Sequence, residues 1–132
     1  MEITELGAVA LSGRLARREI SAAEVMAAVL DRIDRVNPAL NAIVSLRDRD
    51  TLMAEARRAD ASPRTGWLHG IPIAVKDLAE TAGIATTMGS PNMAAHVPGA
   101  DCGMVARMKA AGAIVIGKTN VPEFGLGSHT TN

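Results

Sequence analysis

Two short apolar runs constrain this chain more than any other feature. Ile71 to Val75 and Ala113 to Ile116 have the length and character of strands buried on both faces of a sheet. Between them, Asp101 is placed to cap a helix reaching about Ala111, with Met104, Val105 and Met108 on one face. Gly112 fits the position just past the end of that helix. Strand, helix and parallel strand make a right-handed crossover, the building block of an α/β sheet. Two or three strands do not complete such a domain, so the chain reads as a helical region followed by the opening third of a larger sheet.

The helical region comes first. Residues 4–18 suit an amphipathic helix with Leu6, Val9, Leu11 and Leu15 as its apolar positions. Ser21-Ala22-Ala23-Glu24 is a capping box, and the helix after it carries Val25, Met26, Val29, Leu30 and Ile33 at helical spacing. Asn37-Pro38 is expected to stop it. Ala42 to Leu46 reads as a short strand and residues 48–60 as a helix with a solvated face. The turn-rich stretch Ala61 to Gly66 is the best boundary, dividing the chain into 1–62 and 63–132.

Composition narrows the function. With 14 basic and 14 acidic residues the formal net charge is zero, which gives no support to a nucleic-acid or membrane-surface role. Hydrophobic content of 48% is enough for a core, carried by aliphatic side chains and methionine, since aromatics are only 2%. The single cysteine, Cys102, has no internal disulfide partner, which fits a reducing cytoplasm. The opening Met1-Glu2-Ile3 lacks the pattern of a signal peptide, and no stretch approaches a membrane span.

Lys76 follows the first apolar run. By spacing alone, a lysine there is a strand-end surface residue paired with Asp77 or Glu80. Its position also allows chemistry, because ligand sites in open α/β sheets lie at the carboxyl ends of strands. A lysine desolvated at such a place loses its preference for the charged form, and a neutral amine can take a proton from a serine.

The tract from Gly112 to Thr119 satisfies the phosphate-loop pattern letter for letter, with Gly117-Lys118-Thr119 at its end. The mechanism does not fit. That motif needs a flexible loop between its glycines and a helix after the threonine. Here Ala-Ile-Val-Ile fills the gap and wants to be strand, while Asn120-Val121-Pro122 resists helix. Nucleotide binding is set aside.

The run His69-Gly70-Ile71-Pro72-Ile73-Ala74-Val75-Lys76-Asp77 and the later run Gly117-Lys118-Thr119-Asn120-Val121-Pro122-Glu123-Phe124-Gly125-Leu126-Gly127-Ser128 together resemble the amidase signature family. These are serine hydrolases that cut carboxamides with a Ser-Ser-Lys triad. The resemblance covers the whole chain and is stronger over 66–132 than over 1–60. It implies an α/β fold of N-terminal helices followed by the opening part of a mixed sheet flanked by helices, incomplete in this chain. It makes Lys76 the triad lysine and places both serines beyond Asn132, in a Gly/Ser-rich segment whose backbone amides would form the oxyanion hole. Gly125 and Gly127 become substrate-binding positions acting through backbone atoms, in a loop where small residues permit close approach. A flexible loop without that role is the bland alternative.

Ser90 and Ser128 lack the Gly-Gly-Ser-Ser-Gly-Gly context of the family's nucleophile, so structural or substrate-lining roles are expected for them. Asp77 and Glu123 resemble scaffold residues that order the strand end and the loop. His69, His96 and His129 have no metal-ligand spacing. No metal or cofactor is called for. The implied partners are a small-molecule amide substrate and a second copy of the chain joined through an exposed sheet edge, with no nucleic acid and no membrane. Two activities stay open within the family. One is a general amidase on small aliphatic, aryl or cyclic amides. The other is the glutaminase component of a tRNA-dependent amidotransferase. The stretch Gly125 to Asn132 looks more like the first. A third reading makes this chain, taken alone, an inactive fragment that acts only by association.

Overall fold

The computed structural model describes residues 2–130. Four α-helices and three strands follow in the order α1 (Ala8–Ala16), α2 (Ala22–Leu40), β1 (Ile43–Leu46), α3 (Arg49–Ala61), β2 (Pro72–Lys76), α4 (Gly103–Ala110) and β3 (Ile114–Thr119). The sheet order is β1-β3-β2, with β3 parallel to β2 and antiparallel to β1. Strand, α4 and parallel strand form the expected crossover. The outer sides of β1 and β2 have no strand partner among the described residues.

Helices α2 and α3 cover one face of the sheet. Met26, Leu30, Ile33, Leu52 and Ala56 pack there against Ile114 and Ile116. Val105 of α4 covers the other face with Val75 and Val115. Leu68, Ile71 and Ala113 form a smaller cluster, with Leu15 of α1 and Met108 of α4 against it. Fully burying one such aliphatic side chain is worth roughly 1.5–3 kcal/mol, so β3, buried along nearly all its length, is the main thermodynamic anchor of the sheet.

The capping box forms as read. The Glu24 amide donates to Ser21 Oγ at 3.1 Å, and the Ser21 amide donates to Glu24 Oε2 at 2.8 Å. Several element limits differ from the sequence reading. The first helix is divided, with a single 3-10 turn at Ile3–Glu5 and α1 starting only after Gly7, which is extended; Val9 is solvent-exposed. Pro38 does not stop α2, which runs on to Leu40. In the last turn a proline forfeits one backbone bond, and Asn37 recovers the exit. Its side chain donates to Ile43 O and accepts from Ile43 N, both at 2.9 Å, while left-handed Asn41 closes the helix through Asn37 O. The last helix is capped at Cys102 rather than Asp101, and Met104 is exposed rather than buried. Asp101 serves elsewhere, accepting from the Ala82 amide at 2.8 Å and from Lys109 Nζ at 2.8 Å. Gly112, at φ +95°, sits just past the helix as expected.

Strand β3 continues to Thr119, beyond the apolar run. Its register with β2 steps from Ile73↔Val115 to Ala74↔Gly117, so Ile116 is an extra residue on β3. An inserted residue flips every side chain after it to the other face. Val115 lies on the α4 face, and because of the bulge Lys118 returns to that face beside Val75. Gly117 is required at the bulge, since a Cβ there would overlap the carbonyl oxygen of Ser45 on β1.

Candidate active site

Lys76 is the last residue of β2, paired with Thr119 in the parallel register. It leaves the sheet on the face opposite Lys118 and Val75, because neighbouring strand residues alternate. Its side chain is exposed, and among the described residues no group lies within hydrogen-bond or ion-pair distance of its Nζ. The surface pairing with Asp77 or Glu80 suggested by spacing alone is not made. Glu80 instead lies 3.3 Å from His96 Nε2.

Asp77 turns inward, 1% exposed. It accepts from the Thr87 amide at 3.1 Å and from Thr87 Oγ1 at 2.5 Å, and lies 3.7 Å from Lys118 Nζ. Backbone bonds fix it on both sides: its amide donates to Thr119 O at 3.1 Å and its carbonyl accepts from Met88 N at 3.0 Å. The residue after Lys76 thus has almost no freedom, and the direction in which Lys76 projects is set by that.

Lys118 is the feature that sequence reasoning missed. It is 0% exposed, the largest fully buried side chain among the described residues. Its Nζ donates to Ala79 O, to Thr86 Oγ1 at 2.9 Å and to Thr81 Oγ1 at 3.4 Å. The two hydroxyls send their own hydrogens elsewhere, Thr81 to Ala79 O and Thr86 to Ile84 O. They therefore accept from Lys118, and all three donors of an ammonium are used. Burial pulls the Lys118 ammonium below its ordinary value of 10.5, and the nearby Asp77 carboxylate opposes that. A lysine in a strand ordinarily signals an exposed face; Asp77, Thr81 and Thr86 in the crossover were the available hint of a polar counterpart.

The loop after β3 is fastened to the loop after β2. Ser90, 2% exposed, donates to Glu123 Oε1 at 2.7 Å, and the Phe124 amide donates to Met88 O at 2.7 Å. Both loops use left-handed backbone where they touch, at Met88-Gly89 and Phe124-Gly125. Gly125, at φ +72°, lies against Leu78, two residues past Lys76; a Cβ there would come within 2.7 Å of Leu78 Cδ1. Its amide is taken by Pro122 O at 2.7 Å. Gly127, at φ +90°, is open on its side-chain side. The fold thus brings Gly125 to the end of β2 and leaves Gly127 at the rim. Ser128 and His129 are exposed in the same stretch, whose last two residues, Thr131 and Asn132, lie outside the described residues. His69 is held by Thr65 Oγ1 at 3.1 Å and Ala59 O at 2.9 Å, at the other end of β2. Among the described residues no group of His, Cys, Asp or Glu is arranged to hold a metal ion.

A buried polar strand end, an exposed lysine at its tip and a glycine loop pressed beside it thus come together at the carboxyl end of β2. The amidase family model matches residues 24–132, and the chain belongs to that family. It is 44% identical over 133 aligned residues to a glutamyl-tRNA(Gln) amidotransferase subunit of Salinispora arenicola, covering 98% of this chain and 27% of that protein. It is 41% identical to the corresponding protein of Moorella thermoacetica, covering 100% of this chain and 28% of that protein. Among solved structures, the native peptide amidase of Stenotrophomonas maltophilia superposes with a TM-score of 0.80 at 35% identity, over 91% of this chain and 26% of that one. A fatty acid amide hydrolase superposes with a TM-score of 0.83 at 26% identity, over 91% and 22% respectively. The chain therefore spans about a quarter of the length of the relatives it matches.

Proposed function

We propose that this chain is the opening part of an amidase that hydrolyses a carboxamide to a carboxylate and ammonia or an amine, with Lys76 as its base. The observation that carries the reading is Lys76 itself: last in a parallel strand, its backbone fixed by the bonds of Asp77 next to it, and free of any carboxylate partner among the described residues. In this reading a serine outside the chain attacks the amide carbonyl. A second serine passes its proton to Lys76, and Lys76 returns a proton to the departing nitrogen. Gly127, and Gly125 through its carbonyl, line the substrate, since the Gly125 amide is already bonded. The reaction uses no metal or cofactor. In this reading the rest of the protein covers Lys76, and that desolvation favours its neutral amine.

A second reading has its own support. The two amidotransferase relatives named above match nearly the whole chain, which favours a glutaminase that passes ammonia to a partner. Amidotransferase function predicts glutamine as substrate and a copurifying partner protein. The stretch beginning at Gly125 favours a free-standing amidase on small amides.

The test is ammonia release by the complete protein from L-glutamine and from benzamide, with covalent labelling by a fluorophosphonate. Release from either amide together with labelling of a serine supports the reading. Absence of both from a folded protein overturns it.

A further inference from the structure

The acids nearest Lys76 in sequence are each occupied elsewhere. Asp77 points to the α4 face and meets Lys118 and Thr87. Glu80 meets His96. Lys118 is faced by Asp77 and Glu80 from the loop after β2 and by Cys102 from the start of α4. The acids of α2, which touches β2, are engaged too: Glu24 with Ser21, Asp31 and Asp34 with Arg49. Glu123 of the neighbouring loop is held by Ser90. The open nitrogen of Lys76 is the outcome of this arrangement.

A carboxylate within about 4–6 Å of a lysine favours its protonated form, which disables it as a base. We propose that Lys118 is a positioning residue for the reaction: by compensating the Asp77 charge behind the sheet, it leaves Lys76 free to accept a proton. This rests on the reading of Lys76 as the base. The geometry supplies both halves of the device. The extra residue at Ile116 puts Lys118 on the α4 face, and alternation along β2 puts Asp77 on that face and Lys76 on the other. Three hydrogen-bond acceptors and the Asp77 carboxylate favour the charged form of Lys118 against the effect of its burial. The Gly117-Lys118-Thr119 tract, which imitates a phosphate loop, thereby gains a different purpose. Its glycine admits β1 at the bulge, and its lysine is a buried counter-charge.

The experiment is the pH–rate profile of kcat/KM for amide hydrolysis by the complete protein, on benzamide or L-glutamine, whichever it turns over. Wild type is compared with Lys118→Met, Asp77→Asn and the double variant, with circular dichroism to certify folding. Lys118→Met leaves Asp77 uncompensated and moves the acid limb up by about one pH unit. Asp77→Asn leaves Lys118 uncompensated and moves it down by a similar amount. The double variant returns the limb to the wild-type position. A role confined to stability lowers activity in all three without moving the limb, and folded variants with an unmoved limb overturn the proposal. Should Lys118→Met fail to fold, Asp77→Asn decides alone: a downward move supports the proposal, an unmoved limb sinks it. Lys76→Ala separates this from the parent reading. If that variant keeps its turnover, the base assignment has failed. If it is inactive while the limbs stay put, only the role of Lys118 has failed.

Discussion

Asp77 and Lys118 meet at 3.7 Å on the α4 face of the sheet, both essentially without solvent. Lys76, one residue before Asp77, leaves from the opposite face. A buried ion pair is weak evidence of stability in general, because desolvation consumes most of the attraction. This one does something narrower. With Thr81, Thr86 and Thr87 it ties the start of the crossover to the two adjoining strand ends, and so fixes where β2 stops.

The bulge makes that possible, and Gly117 makes the bulge possible. Gly117→Ala forces the new methyl into the Ser45 carbonyl, a backbone atom with no room to move. We expect a loss of about 2 kcal/mol, read as a lower midpoint in urea unfolding of the complete protein. Gly99→Ala, where nothing lies within 4 Å of the new methyl, serves as the control and is expected to leave the midpoint nearly unchanged.

Ser90→Ala removes the donor to Glu123 and loosens the loop that carries Gly125 and Gly127, which keeps the bond from the Phe124 amide to Met88 O. A single lost hydrogen bond of this type costs about 1–2 kcal/mol. If the loop binds substrate, KM rises more than kcat falls in steady-state kinetics. An equal fall in kcat at constant KM contradicts the role given to the loop.

Asp101 links the crossover to α4 through Lys109 and the Ala82 amide. The Lys109 bond, and then the Ala82 amide, hold its carboxyl below the ordinary value of 3.8. A depressed carboxylate stabilises the fold fully above its ordinary value, and that contribution is lost as pH falls through the depressed one. Thermal unfolding of Asp101→Asn and wild type should therefore differ most above the ordinary value of 3.8 and converge as the pH falls below it. A difference that stays constant across that range contradicts the assignment.

Strands β1 and β2 each show one unpaired side among the described residues. Such edges recruit other chains. The isolated 132-residue polypeptide is expected to dimerise, swap or aggregate, and to lack amide hydrolysis. Size-exclusion chromatography with light scattering reads the first, ammonia release the second. A soluble monomer with measurable turnover contradicts both expectations.

Much of the scaffold was legible because its signals are local. The Ser21–Glu24 capping box, the apolar spacing of α2 and the Gly112 stop each depend on neighbours within a turn or two. The place of Lys76 at the tip of β2 was legible from the apolar run before it. The exceptions depend on distant partners. Pro38 stays helical because Asn37 finds Ile43. Asp101 forgoes its cap because Ala82 and Lys109 are within reach. Lys118 is buried because a bulge opposite β2 turns it towards threonines more than thirty residues away. No periodicity encodes such an arrangement.

The most direct test of the account is turnover of the complete protein with Lys76 replaced. Lys76→Ala should fold normally and lose most of its kcat, since a general base contributes about 10²–10⁴-fold. Lys76→Arg should fail as well, because a guanidinium stays protonated. Turnover of either variant above about a tenth of wild type contradicts the assignment of Lys76 as the base, and with it the chemistry proposed for this fold.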